Sequence, residues 1–406
     1  MNYKETQEFL FSALPMYQRI GKEAFKKDLS NTLALCKALG NPHLKFKSVH
    51  VAGTNGKGSS AHMLSAVLQQ AGFKVGLYTS PHLKSFTERI RINGKAIPEE
   101  GVVDFVQQNK AAIDRIQPSF FEITVVMAFD YFAREEVDIA VIEVGLGGRL
   151  DSTNVITPEV SLITNIGFDH MEMLGDTLPK IAGEKAGIIK PEVPVVIGEK
   201  QTETSPVFEQ KAKEINSKLW YGDHHQKLPQ TDLMGDYQKN NIPGVLKTVE
   251  VLRELGWKVR GEDITVGLNQ VVSLTGLKGR WQTLSKYPLT ICDTGHNKEG
   301  FQQVLDQIAR LKKPQVYMVL GFVNDKNIKD LMALIPNEYQ LTFCQANIPR
   351  AMPLDRIKEI ALDLQIQADY VSDVNEAIDK VRVNAKPDDL VFVGGSTFVV
   401  AEIEGL

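Results

Sequence analysis

The sequence predicts a two-domain α/β protein in which mostly parallel sheets are covered by helices. Three observations lead there. The chain has 406 residues, more than one hydrophobic core usually serves. Short apolar runs of strand length alternate with helical segments along most of it. A glycine-rich loop, Gly53-Thr54-Asn55-Gly56-Lys57-Gly58-Ser59, stands between a predicted strand and a predicted helix, where such sheets gather ligands.

After an opening helical stretch, residues 48–52 read as a short apolar strand and 59–70 as a helix that Gly72 stops. Residues 73–78 form a second strand, and 89–97 carry Asn93-Gly94 between β-type residues, a hairpin signal. A helix over 121–133 and strands over 137–144 and 160–166 follow, then a helix over 178–188 before Pro191 and a strand over 194–198. A second alternating series places strands at 289–292, 316–320, 341–344 and 390–393, with a helix over 375–383 among them. Gly276 and Gly279 interrupt the pattern. The expected division is therefore a larger domain over 1–279 and a smaller Rossmann-like α/β domain over 280–406.

Hydrophobic residues at 43% and charged residues at 24% are ordinary for a soluble chain and unlike disordered or membrane sequences. A formal net charge of −4 argues against broad binding to nucleic acid or anionic lipid. Cys36, Cys292 and Cys344 lie far apart, in neither a disulfide framework nor a zinc pattern, which fits a reducing cytoplasm. Residues 1–14 mix Lys and Glu among apolar positions and predict neither export nor a membrane span.

In the glycine-rich loop, successive backbone N–H groups and a helix N-terminus can surround phosphate oxygens. Lys57 would contact the β- and γ-phosphates of a nucleotide, and the Ser59 hydroxyl would ligate a bridging Mg²⁺. The usual phosphate-loop pattern has Ser or Thr directly after Lys; here Gly58 intervenes. Glu143 closes a buried strand, so its carboxylate would emerge at the ligand edge of the sheet. His170, after the next strand, either reaches the same crevice or is a surface-loop histidine. Lys185 lies on a helix, where a solvated charge paired with Glu184 or Asp176 is the default. Gln238 and Asn241 open a helix in the pattern Gly-x-Tyr-Gln-x-x-Asn, which a plain helix start would also explain.

The loop resembles the GTNGKGS segment of the Mur ligase superfamily. Thr79-Ser80-Pro81-His82-Leu83, Glu88-Arg89-Ile90-Arg91-Ile92, the run from Glu143 to Asp151 (EVGLGGRLD) and Glu184-Lys185-Ala186-Gly187 are similar to motifs of the folylpolyglutamate and dihydrofolate synthases, in the same order. Gly235-Asp236-Tyr237-Gln238, Gly279-Arg280, Asp293-Thr294-Gly295-His296-Asn297 and Gly394-Gly395-Ser396 extend the resemblance over nearly the whole chain. It implies a Mur-ligase-like ATPase domain followed by a glutamate-ligase domain. It also assigns Gly53 to Ser59, Gln238, Asn241, Arg280 and Asp293 to ATP, and Ser59, Glu143 and His170 to magnesium. Lys185 would carry a carbamate that holds a second Mg²⁺. Ser80, Pro81, His82 and Arg89 would shape the pterin site, although Arg89 and Arg91 also read as solvated hairpin residues. His296, Ser396 and the pair Asp325-Lys326 would serve the second domain. The chain departs from the family wording at Tyr237, where His is usual, and at Thr294-Gly295, where Gly-Ala is usual.

The implied activity is ATP-dependent joining of L-glutamate to dihydropteroate, to reduced folates, or to both, through an acyl phosphate. Small-molecule substrates, a monomer, and no nucleic-acid or membrane partner complete that expectation. Two rivals stand beside it. Another Mur-type amino-acid ligase would usually carry a nucleotide-sugar domain ahead of the loop, and about fifty residues are too few for one. An ATP-hydrolysing regulatory module would release ADP without needing either acid or amine.

Overall fold

The computed structural model describes residues 1–12, 28–222, 228–324 and 328–406. The chain separates into two compact units, Met1–Asp232 with Gln238–Leu277, and Leu233–Tyr237 with Lys278–Leu406. The five residues Leu233–Tyr237 belong to the second unit although they precede the last helices of the first.

The first unit is built on an eight-stranded sheet. Its strands are β1 (Lys47–Ala52), β2 (Val75–Tyr78), β3 (Ile90–Ile92), β4 (Lys95–Ala96), β5 (Ile139–Glu143), β6 (Val160–Ile163), β7 (Val195–Ile197) and β8 (Leu219–Tyr221), in the order β4-β3-β2-β5-β1-β6-β7-β8. All pairings are parallel except β2 with β3 and β3 with β4, the Asn93-Gly94 hairpin. Ser48 to Ala52 of β1 and every residue of β5 and β6 are buried; a parallel strand covered on both faces needs a continuous apolar run rather than an alternating one. One core cluster packs Phe105, Phe120, Phe129 and Phe132 with Tyr78 and Ile142, and another packs Ile163, Ile181, Ile188 and Phe208.

The chain leaves β1 through the glycine loop into a helix, α1 (Lys57–Gln70), and next enters β2, two places away across β5. The connection from β5 instead leads to β6, on the opposite side of β1. The strand order thus reverses at β1, and the mouths of β5, β1 and β6 open a crevice of the kind that binds ligands.

Two boundaries differ from expectation for a reason that bears on the site. The strand expected over 160–166 stops at Ile163, because Thr164 and Asn165 turn their side chains to the glycine loop. The helix expected from Ser59 begins at Lys57, since Gly56 (φ 84°) takes the left-handed cap.

The second unit holds a six-stranded sheet of β9 (Gln282–Lys286), β10 (Leu289–Cys292), β11 (Val316–Leu320), β12 (Gln340–Phe343), β13 (Ala368–Tyr370) and β14 (Leu390–Gly394), ordered β13-β12-β11-β14-β10-β9. Only β9 runs antiparallel, on β10. Its polar sequence QTLSK, partly exposed, carries no apolar run, so pairing with β10 rather than patterning makes it a strand. The core gathers Trp281, Ile291, Phe301, Ile308, Met318, Phe343 and Phe392.

Candidate active site

The glycine loop is held by its neighbour β6. Thr164 Oγ1 donates to the Asn55 carbonyl at 2.6 Å, Asn165 Oδ1 accepts the Asn55 N–H at 2.9 Å, and the Asn165 carbonyl accepts the Thr54 N–H at 2.9 Å. Thr54 Oγ1 exchanges bonds with the backbone of Gly167 at 3.2 and 3.0 Å. The fit is close enough that a Cβ on Gly53 (φ 144°) would lie 1.8 Å from Thr164 Oγ1, and one on Gly56 would lie 2.0 Å from Asn241 Oδ1. Glycine is required at both positions by space and by backbone angle together. Thr164 and Asn165 were not singled out from the sequence; a polar pair after a buried strand does not say which loop it braces.

Two lysines converge on this loop. Lys57 Nζ donates to the carbonyls of Gly53 and Thr54, both at 3.1 Å, and Lys185 Nζ donates to Gly53 at 2.9 Å. The default reading of Lys185 as a solvated helix lysine is corrected: the residue is 4% exposed. Its expected partners are engaged elsewhere, Glu184 with Arg149 and Asp176 with Lys180. Burial, then the positive charge of Lys57, pulls Lys185 down to about 7, while Asp169 and Asp151 act in the opposite sense.

Gln238 and Asn241 are buried, and the reading as a plain helix start does not describe them. Gln238 Nε2 donates to Ser59 Oγ at 3.1 Å, and Asn241 Nδ2 donates to Gln238 Oε1 at 2.8 Å. Both side chains therefore back the phosphate loop. Glu143, 5% exposed at the end of β5, accepts the Ser80 N–H at 3.0 Å, which ties its carboxylate to the Thr79-to-Ile92 segment. His170 opens a short helix in the left-handed conformation (φ 50°), and its Nε2 lies 3.8 Å from the Asp169 carboxylate.

Beyond β2, Pro81 is exposed and His82 half-buried, whereas Arg89 is only 2% exposed. The solvated-hairpin reading of Arg89 is thereby corrected. Glu88 accepts backbone N–H groups of Leu83, Lys84 and Ser85 at 3.0 to 3.2 Å and shapes the loop that carries His82. Arg91 is likewise packed, donating to the Gly94 carbonyl at 3.2 Å.

In the second unit, Asp293 is 2% exposed at the end of β10. It accepts from Tyr237 Oη at 2.6 Å and from the N–H groups of Trp281 and Gly295, both at 2.7 Å. Burial pushes the Asp293 carboxyl up, against those bonds and Arg280; burial and Asp293 push Tyr237 well up. Arg280 donates to Thr294 Oγ1, His296 Nδ1 bonds the Thr294 carbonyl at 2.9 Å, and Ser396 Oγ caps the last helix by accepting from Val399 at 3.2 Å. Asp325 and Lys326 lie outside the described residues.

Among the described residues, no group of three His, Cys, Asp or Glu is gathered to hold a metal unaided. Ser59 and Glu143 nevertheless suit Mg²⁺, a hard cation that takes oxygen donors and fills its remaining positions with phosphate oxygens and water. A buried carboxylate at the end of β5 and a buried hydroxyl in the first turn of α1 fit a cation that takes its remaining ligands from phosphate and water.

Comparison with known proteins extends this picture. The family described as the Mur ligase middle domain matches residues 51–254, and the Mur ligase glutamate ligase domain matches 279–397. The folylpolyglutamate synthase of Lacticaseibacillus casei is 30% identical, over 99% of this chain and 98% of its own length. A probable bifunctional folylpolyglutamate synthase/dihydropteroate synthase of Haloferax volcanii is 32% identical over 99% of this chain, which spans half of that longer protein. The solved structure of a bifunctional folylpolyglutamate synthase/dihydrofolate synthase from Yersinia pestis, complexed with AMPPNP and a Mn ion, superposes with a TM-score of 0.83 at 28% identity, covering 99% of this chain and 97% of that one.

Proposed function

We propose a mechanism from one premise: this chain belongs to the folylpolyglutamate synthase/dihydrofolate synthase family of the Mur ligases. It is an ATP-dependent ligase that joins L-glutamate to folate-type carboxylates, with a divalent metal as cofactor. The observation that carries the reading is the convergence of Lys57 and Lys185 on the Gly53 carbonyl, inside a glycine loop at the point where the strand order reverses.

An amide cannot form readily from a carboxylate, whose oxide is a poor leaving group. Transfer of the γ-phosphoryl group of ATP to the carboxylate oxygen releases ADP and leaves an acyl phosphate. The glutamate amine attacks its carbonyl carbon, the C–O bond to phosphate breaks, and phosphate departs. Lys57 is assigned to the transferring phosphoryl group, whose charge it offsets. The N–H groups of the loop and of the first turn of α1 hold the other phosphates. Ser59 and Glu143, with His170, would hold the metal, which when bound neutralises charge on the phosphates. Gln238 orients the Ser59 hydroxyl and Asn241 supports Gly56. Arg280 and Asp293 are assigned to nucleotide, and His296 and Ser396 to substrate, on the family pattern. Ser80, Pro81 and His82 are assigned to the pterin-bearing substrate.

Lys185 fits a carbamate. Its neutral amine adds to CO₂ and releases a proton, and with a value of about 7 about half of it is neutral at pH 7, against roughly one part in three thousand for an ordinary lysine. The product would bring an anionic oxygen pair beside the phosphate loop in place of a cation.

We also place the enzyme in the cytoplasm as a monomer acting on small molecules alone. The net charge of −4 supports the absence of a broad polyanionic partner, and three buried unpaired cysteines support a reducing compartment. No described helix is long and apolar enough to cross a membrane.

The test supplies purified protein with ATP, Mg²⁺ and glutamate, adds dihydropteroate in one series and tetrahydrofolate in another, and identifies products by mass. Glutamate-dependent ADP release is expected with each. Release with one alone would narrow the substrate; release with neither, or without glutamate, would overturn the assignment.

A further inference from the structure

Arg89 is a buried cation on the loop that carries His82. Its Nε donates to His82 Nδ1 at 2.8 Å. A guanidinium has donors only, so Nδ1 must be the unprotonated nitrogen, and a neutral imidazole so fixed carries its proton on Nε2. Among the described residues, Nε2 has no hydrogen-bond partner.

Around this pair the surfaces are aromatic. The His82 ring lies 6.3 Å from Phe11, on the helix Tyr3–Ser12, and 6.3 Å from Phe86. The Arg89 guanidinium sits 5.2 Å from the centre of the Phe120 ring. Arg89 is the charged group facing His82, and Tyr78, Glu143 and Glu88 face Arg89. Glu88 is itself engaged with three loop N–H groups. Burial and the adjacent guanidinium hold His82 down to about 3, so a second proton is not taken up near neutrality.

We propose that Arg89 acts through His82, fixing its tautomer so that His82 meets the pterin-bearing substrate as an uncharged Nε2–H donor, and that Arg89 does not itself bind the substrate's carboxylate. Arg89 is then a positioning residue. The group that His82 recognises is an acceptor: a carbonyl or carboxylate oxygen, or an unprotonated ring nitrogen. An imidazolium would also attract any anion without regard to geometry, whereas the neutral donor selects by direction. The proposal rests on the substrate assignment above for what His82 meets, but not for the tautomer.

Two measurements test it. Protein carrying ¹⁵N-labelled histidine gives imidazole spectra in which the His82 signals are identified by their loss in His82→Gln. At pH 7 the wild-type spectrum should show Nδ1 unprotonated and Nε2 protonated. A protonated Nδ1 would overturn the proposal whatever the protein catalyses and whether or not any Arg89 variant folds. The second measurement follows KM for dihydropteroate and tetrahydrofolate. His82→Leu and Arg89→Met should each raise these KM values about tenfold, the scale of one hydrogen bond, while His82→Gln, which keeps an N–H donor, should raise them less than His82→Leu does. KM for ATP should be unchanged in all three. Equal losses in the Gln and Leu variants, or none in Leu, would refute a donor at Nε2. Absence of turnover in the wild type would instead count against the substrate assignment, leaving the tautomer to the spectrum.

Discussion

Replacing Lys185 by Met should make the protein more stable at neutral pH, and the gain should fade as pH rises. Lys185 is fully enclosed, and its value falls from 10.5 to about 7 on folding. The unfolded chain therefore holds the proton more tightly than the folded one. The resulting penalty is fully present below the folded value, and it disappears as pH climbs towards the unfolded value. At about 1.4 kcal/mol per unit, linkage gives a penalty of about 4 kcal/mol at pH 7 and about 2 kcal/mol at pH 9. Met fills a similar volume with no charge to desolvate. The variant also loses the bond to the Gly53 carbonyl, about 1 kcal/mol and independent of pH over this range. The expected net gain at pH 7 is thus about 3 kcal/mol, shrinking by about 2 kcal/mol at pH 9. Urea unfolding of both proteins in CO₂-free buffer, without nucleotide or metal, measures the difference, and other titrating groups cancel between them. A wild-type-to-variant difference that stays constant from pH 7 to pH 9 would refute the reasoning. Activity should be lost in the variant under all conditions, a stability–function trade seen where a site holds a costly charge.

Lys57→Ala should retain the fold but lose at least about a hundredfold in kcat, the scale of one transition-state charge contact; near-normal turnover would remove it from the phosphate site. Gly56→Ala places a Cβ against Asn241 at φ 84°, and should cost about 1–2 kcal/mol from the left-handed backbone alone, visible as a lower unfolding midpoint and weaker ADP binding by calorimetry. Glu143→Gln should leave Tm almost unchanged while shifting the Mg²⁺ titration of activity to much higher concentrations; an unaltered titration would exclude Glu143 from the metal.

The order of strands and helices was legible in the sequence because it rests on local pattern. The apolar runs of β1, β5 and β6 must be buried on both faces, and the glycine loop between β1 and α1 can hardly be anything else. The motifs also pointed to Lys57, Lys185, Gln238 and Asn241, which the fold gathers around the glycine loop, but not to Thr164 and Asn165, which brace it. β9 and β13 were not legible, since a polar edge strand is defined by its partner rather than by its own residues.

What those residues do to one another came only from the tertiary structure. A lysine nine residues from one carboxylate and beside another looks solvated in sequence; in the fold it crosses to a loop 132 residues away and loses its water. Arg89 reads as a hairpin charge until Phe120 and His82 enclose it. Thr164 and Asn165 acquire their role from the pairing of β6 with β1. Local sequence sets secondary structure because hydrogen bonding and side-chain periodicity act over a few residues, whereas burial and charge proximity, which set proton affinity and donor direction, depend on what the rest of the chain brings within a few ångströms.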